Sequence, residues 1–455
     1  MTLPANPLAK LSLREFATVL RRGETSAEAV TLAYLERIRA LDAKLGTFRV
    51  VTADAALKAA RGIDSLLAAG TDLGPLMGVP VAVKEIFATG LLPAGAGSDM
   101  DIRFLGLSEG PFIRALKRAG CIVLGITKTT EFAAATINVD KPMPWNPADP
   151  TIKRVCGGSS HGSAAAMRAG LCAFSVGSDT GGSVRLPAAL CGVFGYKSTA
   201  GRWSTAGVFP LSPSMDSVGV FTRTADDAAV IFDALESATS DQQASNPGLT
   251  ACALRIGRPR QYFTEVCDPV VLSRFDKALA MLRLAGCHIA DVDLPDVSSA
   301  MSSFGPLLFG EFAALVGRER FEANRKCIDR VPAARIEGAV GMTAEALVGY
   351  RARHRAAVAT GLVPPGIDAL VTPAAPFQPC PVDDVASFES AAAWNIRAGH
   401  CTRPGNFYGL CGTTIPIQVD GELPIGLQVL APAGHDSQLL AISQTIEAVV
   451  GSHAA

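Results

Sequence analysis

Residues 111–128 read "PFIRALKRAGCIVLGITK": a helix, a turn at Gly120 and then a buried strand. A helix handing over to an apolar strand is the repeating unit of an α/β protein, and the same alternation runs outward in both directions. Upstream, "GVPVAVKEI" (78–86) alternates Val79, Val81 and Val83 with Pro80, Ala82 and Lys84, which is strand periodicity with a lysine at the end of its small-residue face. Further back, "SLREFATVLRRG" (12–23) carries Ser12 and Glu15 in capping-box spacing and stops at Gly23. The next segment, 25–41, repeats the box with Thr25 and Glu28, and a third helix is expected near 54–69. Downstream, "DDAAVIFDALES", "ALRIGRP", "FDKALAMLRLAGCHIADVDL" and "GIDALVTP" continue the pattern, so the fold class is α/β with a sheet covered by helices. The polar segment 237–252, with its Asn-Pro-Gly, reads as a surface excursion within one domain, because the strands on either side look like parts of one sheet; a domain boundary there is the alternative.

With 455 residues the chain is long enough for two domains or one large layered one. Forty-nine percent hydrophobic and 18 percent charged residues describe a folded chain with a large interior. The 41 basic and 42 acidic residues nearly cancel, which speaks against a nucleic-acid or membrane surface and favours a small neutral or weakly polar substrate over a polyanion. The first residues, "MTLPANPLAKLSLREF", hold no apolar core of signal-peptide length, and no uninterrupted apolar run is long enough for a bilayer span. Eleven cysteines without C-x-x-C pairs point to reduced thiols, hence to a cytoplasmic protein without a disulfide frame or structural zinc. The expectation is no metal and no cofactor, and a monomer or homodimer with neither nucleic-acid nor membrane partners.

The chemistry concentrates in two glycine-serine loops. Residues 156–166 read "CGGSSHGSAAA", and "SDTGGSVRLPAALC" at 178–191 repeats Gly-Gly-Ser twenty-four positions later. Glycines let backbone approach a substrate closely, and successive unpaired N–H groups can cradle a developing negative charge. Ser183 in the second loop has no histidine nearby to take its proton. A phosphate loop is excluded in "GVFGYKST" (192–199), where Tyr196 separates glycine from lysine. Gly158, Ser160 and Gly162 match G-x-S-x-G, the nucleophile elbow of an α/β-hydrolase with Ser160 as nucleophile. That elbow needs a strand directly before it, and "NPADPTIKRVCGG" offers at most a very short one.

Taken together, "GGSS", "DTGGSVRLPA" and the upstream "VAVKEI" resemble the amidase signature family of serine hydrolases. "TTEFA", "WNP", "MDSVGVFTRTADDAA" and "LPIGLQVLAP" extend the likeness over nearly the whole chain, weakest between 255 and 401. The resemblance implies the amidase signature fold, one large mixed twisted β-sheet covered by helices on both faces. It implies one amidase domain over 1–455, with a signature core at about 70–230 and a substrate-shaping region at about 255–400. It also implies Ser183 as nucleophile, Ser159 as bridging serine after a cis Gly158–Ser159 bond, and Lys84 as base. The oxyanion hole would be the N–H groups around Thr180, Gly181, Gly182 and Ser183, with Ser160, Asp179 and Arg185 in support. A lysine that serves as base must be half neutral near pH 7, about three units below its usual pKa, which burial can bring about.

The departures from the family pattern bear on substrate. Glu85 and Ile86 follow the lysine where Asp-Asn is usual, His161 replaces a glycine, and Ser198 replaces a proline. Ser217 stands where many members that amidate transfer RNA carry glutamine. His161, Trp203, Phe209 and Met215 are candidates for the substrate pocket. The expected activity is hydrolysis of a small-molecule amide, with esters, anilides or carbamates possible. The alternative is the amidase component of a glutamine-dependent aminoacyl-tRNA amidotransferase.

Overall fold

The computed structural model describes residues 4–237 and 250–451. Eleven strands form one sheet among the described residues: β1 (Phe48–Val51), β2 (Pro80–Lys84), β3 (Ile122–Thr127), β4 (Phe174–Ser178), β5 (Phe194–Lys197), β6 (Val218–Thr222), β7 (Arg255–Pro259), β8 (His288–Val292), β9 (Ala369–Pro373), β10 (Cys411–Pro416) and β11 (Gly426–Ala431). Their order is β1-β3-β2-β4-β6-β5-β10-β11-β9-β7-β8. The sheet is mixed: β3, β2 and β4 run parallel, the central strands β4, β6, β5, β10, β11 and β9 pair antiparallel, and β9, β7 and β8 are parallel again. Every residue of β2, β3, β4, β5 and β6 is buried. Successive side chains of a strand point to opposite faces, so burial of all of them requires cover on both faces of the sheet. The turn at Gly120, expected between helix and strand, takes φ +83° between the helix Pro111–Arg118 and β3.

The first helix, Leu13–Arg21, closes its capping box as expected: Glu15 N donates to Ser12 Oγ at 3.2 Å, and Ser12 N donates to Glu15 Oε2 at 2.8 Å. The second, Ala27–Leu45, departs from expectation. Its cap is Ser26, not Thr25, and Glu28 pairs at 2.7 Å with Arg61. Asp64 on the following helix, Ala53–Ala68, takes the free N–H groups of Ala27 and Glu28 at 2.7 and 3.0 Å, so a tertiary partner does what the second box would have done.

Residues 238–249 of the expected surface excursion lie outside the described residues, while β6 before them and β7 after them belong to the same sheet. One stretch, Val297–Val316, is long and apolar enough on composition to cross a membrane, which the sequence pattern did not single out. In the fold it is two helices, Val297–Met301 and Phe304–Val316. Glu311 within it is buried against the hydroxyls of Ser212 and Ser214, at 2.7 and 2.6 Å.

Candidate active site

Lys84 ends β2 and Ser178 ends β4. The two strands are parallel neighbours with Val83 opposite Val176, so both side chains arrive at the carboxyl end of the sheet, where open α/β sheets hold their ligands. The first glycine-serine loop leads into the helix His161–Arg168, and the second connects β4 to the helix Arg185–Cys191. The loops touch: Ser160 N donates to Ser183 O at 3.3 Å, and Ser160 Oγ donates to the Ser178 carbonyl at 3.3 Å.

Lys84 Nζ lies 2.7 Å from Ser159 Oγ and 2.9 Å from Ser178 Oγ, and all three side chains are buried. Burial pulls the Lys84 pKa down to about 7, against the opposing influence of Asp179, Asp216 and Glu85. Glu85 turns away to accept from Thr129 N at 2.9 Å and to pair with Arg49 at 3.2 Å. The Gly158–Ser159 peptide bond is cis, as the resemblance implies. The Ser159 carbonyl accepts from Thr130 N at 3.1 Å and from Thr129 Oγ1 at 3.0 Å.

Ser183 opens onto a cleft that Thr180, Gly181, Leu211, Leu308, Arg335 and Arg403 also line. Its hydroxyl has no hydrogen-bond partner among the described residues. Of the four N–H groups expected in the oxyanion hole, that of Gly182 is taken by Asp179 Oδ1 at 2.8 Å. Those of Thr180, Gly181 and Ser183 have no acceptor among the described residues. Gly182 is held in the left-handed region at φ +117°, and a Cβ there would lie 2.0 Å from Thr402 Oγ1, so only glycine fits.

Asp179 and Arg185 tie the second loop down. Both are fully buried, and their ion pair is bidentate, Nε to Oδ2 at 3.1 Å and Nη2 to Oδ1 at 3.0 Å. Asp179 also takes the N–H of Val184 at 3.1 Å, and Asn406 Nδ2 donates to its Oδ1 at 2.9 Å. Gln428 Oε1 accepts from Arg185 Nη1 at 2.7 Å. Burial opposes the Asp179 charge, but the Arg185 guanidinium holds its carboxyl well below the usual carboxylate range.

The pocket candidates separate. Phe209 lines a small cavity beside Ser178, Thr180 and Asp216, with its ring 5.8 Å from Phe132. Trp203 does not line the cleft; it packs in the core against Phe112, Tyr196 and Phe232, and its Nε1 donates to Glu236 at 3.1 Å. Met215 is likewise a core residue. His161 is buried at the start of its helix, outside the cleft lining; its Nε2 has no hydrogen-bond partner among the described residues, and burial together with Lys84 and Lys128 pushes its pKa down to about 3. For the elbow alternative, the residues before Gly158 make only an isolated bridge, Arg154 to Pro381, and Ser160 Oγ is bound to backbone.

Three groups of site residues were not singled out in the sequence: Ser178 beside the lysine, Asn406 and Gln428 behind Arg185, and the cleft arginines Arg335 and Arg403. Ser178 was recoverable in principle, since it ends a strand next to the loop. The others come from segments more than two hundred and one hundred fifty positions away and carry no local motif.

The chain matches the family model described as Amidase over residues 29–440. It is a hydrolase acting on carbon–nitrogen bonds of the linear-amide type, and it belongs to the Amidase family. Over 449 residues it is 34% identical to 2-amino-5-chloromuconic acid deaminase of Comamonas testosteroni, with 97% of each chain covered. Over 499 residues it is 32% identical to a glutamyl-tRNA(Gln) amidotransferase component of Salinispora arenicola, with 98% of each covered. Among solved structures, native peptide amidase from Stenotrophomonas maltophilia matches with a TM-score of 0.81 at 25% identity over 99% of both chains.

Proposed function

We propose that this amidase cleaves a small-molecule carboxylic amide through an acyl-enzyme on Ser183, with Ser159 relaying the proton and Lys84 as base. The observation that carries this reading is the 2.7 Å contact between Lys84 Nζ and Ser159 Oγ at a site without solvent exposure. A neutral amine has two N–H groups and one lone pair. Donation to Ser178 Oγ orients it so that the lone pair can take the Ser159 proton, while Ser159 takes that of Ser183. The contact from Ser159 to Ser183 closes as substrate enters, since catalytic hydrogen bonds tighten in the complex.

Ser183 then attacks the carbonyl carbon, and the N–H groups of Thr180, Gly181 and Ser183 receive the oxyanion. The proton returns through Ser159 to the leaving amine, and water, deprotonated along the same path, releases the acid. Esters, anilides and carbamates present the same carbonyl and are accessible to the same steps. The protein is proposed to act as one amidase unit, a cytoplasmic monomer or homodimer without cofactor. The experiment is turnover of a panel of amides, anilides, esters and carbamates by the wild type and by Lys84→Ala. The variant is expected to stay folded and inactive, and near-normal activity would remove the lysine from the mechanism.

The identity to an amidotransferase component over the full length supports a second reading, as the ammonia-releasing member of a larger assembly. Ser217 argues against it, because its hydroxyl is committed to the Asp179 carbonyl at 2.6 Å. Turnover of simple amides by the chain alone would favour the hydrolase.

A further inference from the structure

The cleft in front of Ser183 is more sharply charged than the chain as a whole. Its only charged lining residues, among those described, are Arg335 and Arg403, and no carboxylate lines it. Both arginines are half-buried, and neither has an acidic side chain within ion-pairing distance among the described residues. Their protein contacts are carbonyls and rings. Arg335 Nη1 donates to Ala134 O at 3.0 Å, and its guanidinium lies 4.6 Å from the Phe309 ring centre. Arg403 donates to Ile396 O at 3.0 Å and Asn395 O at 2.7 Å. These bonds leave Nε and Nη2 of Arg335 without an acceptor among the described residues. Removal from water lowers the pKa of both guanidiniums, that of Arg335 to about 9 with Arg403 adding to the effect, and neither has the counter-charge that a guanidinium withdrawn from water ordinarily finds.

Guanidinium groups hold carboxylates by paired, charge-assisted hydrogen bonds, and such bonds are strongest where water is excluded. Apart from the arginines, Thr136 and the residues of the Ser183 loop, the lining is small or apolar and includes Ala133, Ala135, Leu211 and Leu308. We propose that the substrate carries a carboxylate, held by Arg335 and Arg403, at the far end of a short hydrocarbon chain from the amide that Ser183 attacks. The chemical class is a monoamide of a short dicarboxylic acid. This inference rests on the amide-cleaving reading above and specifies its substrate. It also revises the expectation of a neutral substrate drawn from net charge, because a near-zero total says nothing about two unpaired cations in one cleft.

The test compares monoamides of dicarboxylic acids of four to six carbons with primary amides of the same length that end in methyl. Wild type is expected to prefer the acid by roughly ten- to hundredfold in kcat/KM, the range of one charge-assisted contact. Arg335→Gln should remove most of that preference through KM for the acid, its loss on the acid exceeding any loss on the neutral amide by roughly tenfold, with Arg335→Lys recovering part of it. Equal turnover of both substrates by wild type, or an equal loss on both in a folded Arg335→Gln protein, would overturn the proposal. If neither amide is cleaved, the amide reading itself fails. Calorimetry of the free dicarboxylic acid on Ser183→Ala, with and without Arg335→Gln, then decides the subsite separately: binding weakened about tenfold by the arginine change supports it, and no binding overturns it.

Discussion

Lys84 and Ser178 end neighbouring parallel strands, and Lys84 Nζ donates to Ser178 Oγ at 2.9 Å. The contact fixes the rotation of the amine, and with it the direction of the lone pair offered to Ser159. Ser178→Ala is therefore expected to lower kcat by roughly tenfold, the worth of one buried hydrogen bond, with KM little changed. Ser178→Thr, which keeps the hydroxyl, should recover most of the loss. Steady-state kinetics of the two variants check this.

Burial lowers the Lys84 pKa to about 7, which sets the pH profile. The amine is the active form, so kcat/KM should rise with pH up to about 7 and level off above it. Stability has a matching sign. The folded pKa lies below the unfolded value, so the unfolded chain binds more protons between the two, and the buried lysine destabilises the fold most at and below about pH 7. The penalty, on the order of 4 kcal/mol, fades as pH rises toward the unfolded pKa of about 10.4. Lys84→Met should accordingly melt higher than wild type at pH 7, with the gain shrinking toward pH 10. Melting curves across that range measure it.

The buried pair of Asp179 and Arg185 cannot lose one member cheaply. Asp179→Ala leaves Arg185 charged and without its bidentate partner, which costs about 3–5 kcal/mol. It also frees the N–H groups of Gly182 and Val184 that shape the loop. Activity should vanish with the stability. Denaturant titration of both single variants and the double should show a non-additive total, since each single change already breaks the shared network.

Gly182→Ala tests the loop more narrowly. A Cβ 2.0 Å from Thr402 Oγ1, at φ +117°, must displace the loop and with it the N–H of Ser183. The expected cost is about 1–3 kcal/mol in stability and roughly a hundredfold or more in kcat. Adding Thr402→Gly relieves the collision but not the backbone conformation, so it should restore only part of the rate.

The legible parts of the sequence were those with local causes. The alternation around 111–128 and the apolar run ending at Lys84 fixed the α/β class, because burial on both faces of a sheet demands apolar residues in succession. The Gly-Gly-Ser loops and Lys84 do meet at one end of that sheet. What escaped depends on distant packing. Trp203 looks like pocket material from its neighbours in sequence, yet Phe112, Tyr196 and Phe232 enclose it. Ser26, not Thr25, caps the second helix, and Asp64 from the next helix takes the N–H groups of Ala27 and Glu28. Arg335 and Arg403 look like any surface arginine until the fold sets them beside Ser183 without a carboxylate.

The most direct test of the central claim is peptide mapping by mass spectrometry of the protein quenched during turnover of a slowly deacylated ester or anilide. An acyl group is expected on Ser183, formed in the wild type and absent from Lys84→Ala. An acyl group on Ser160, or one formed at the same rate without Lys84, would contradict it.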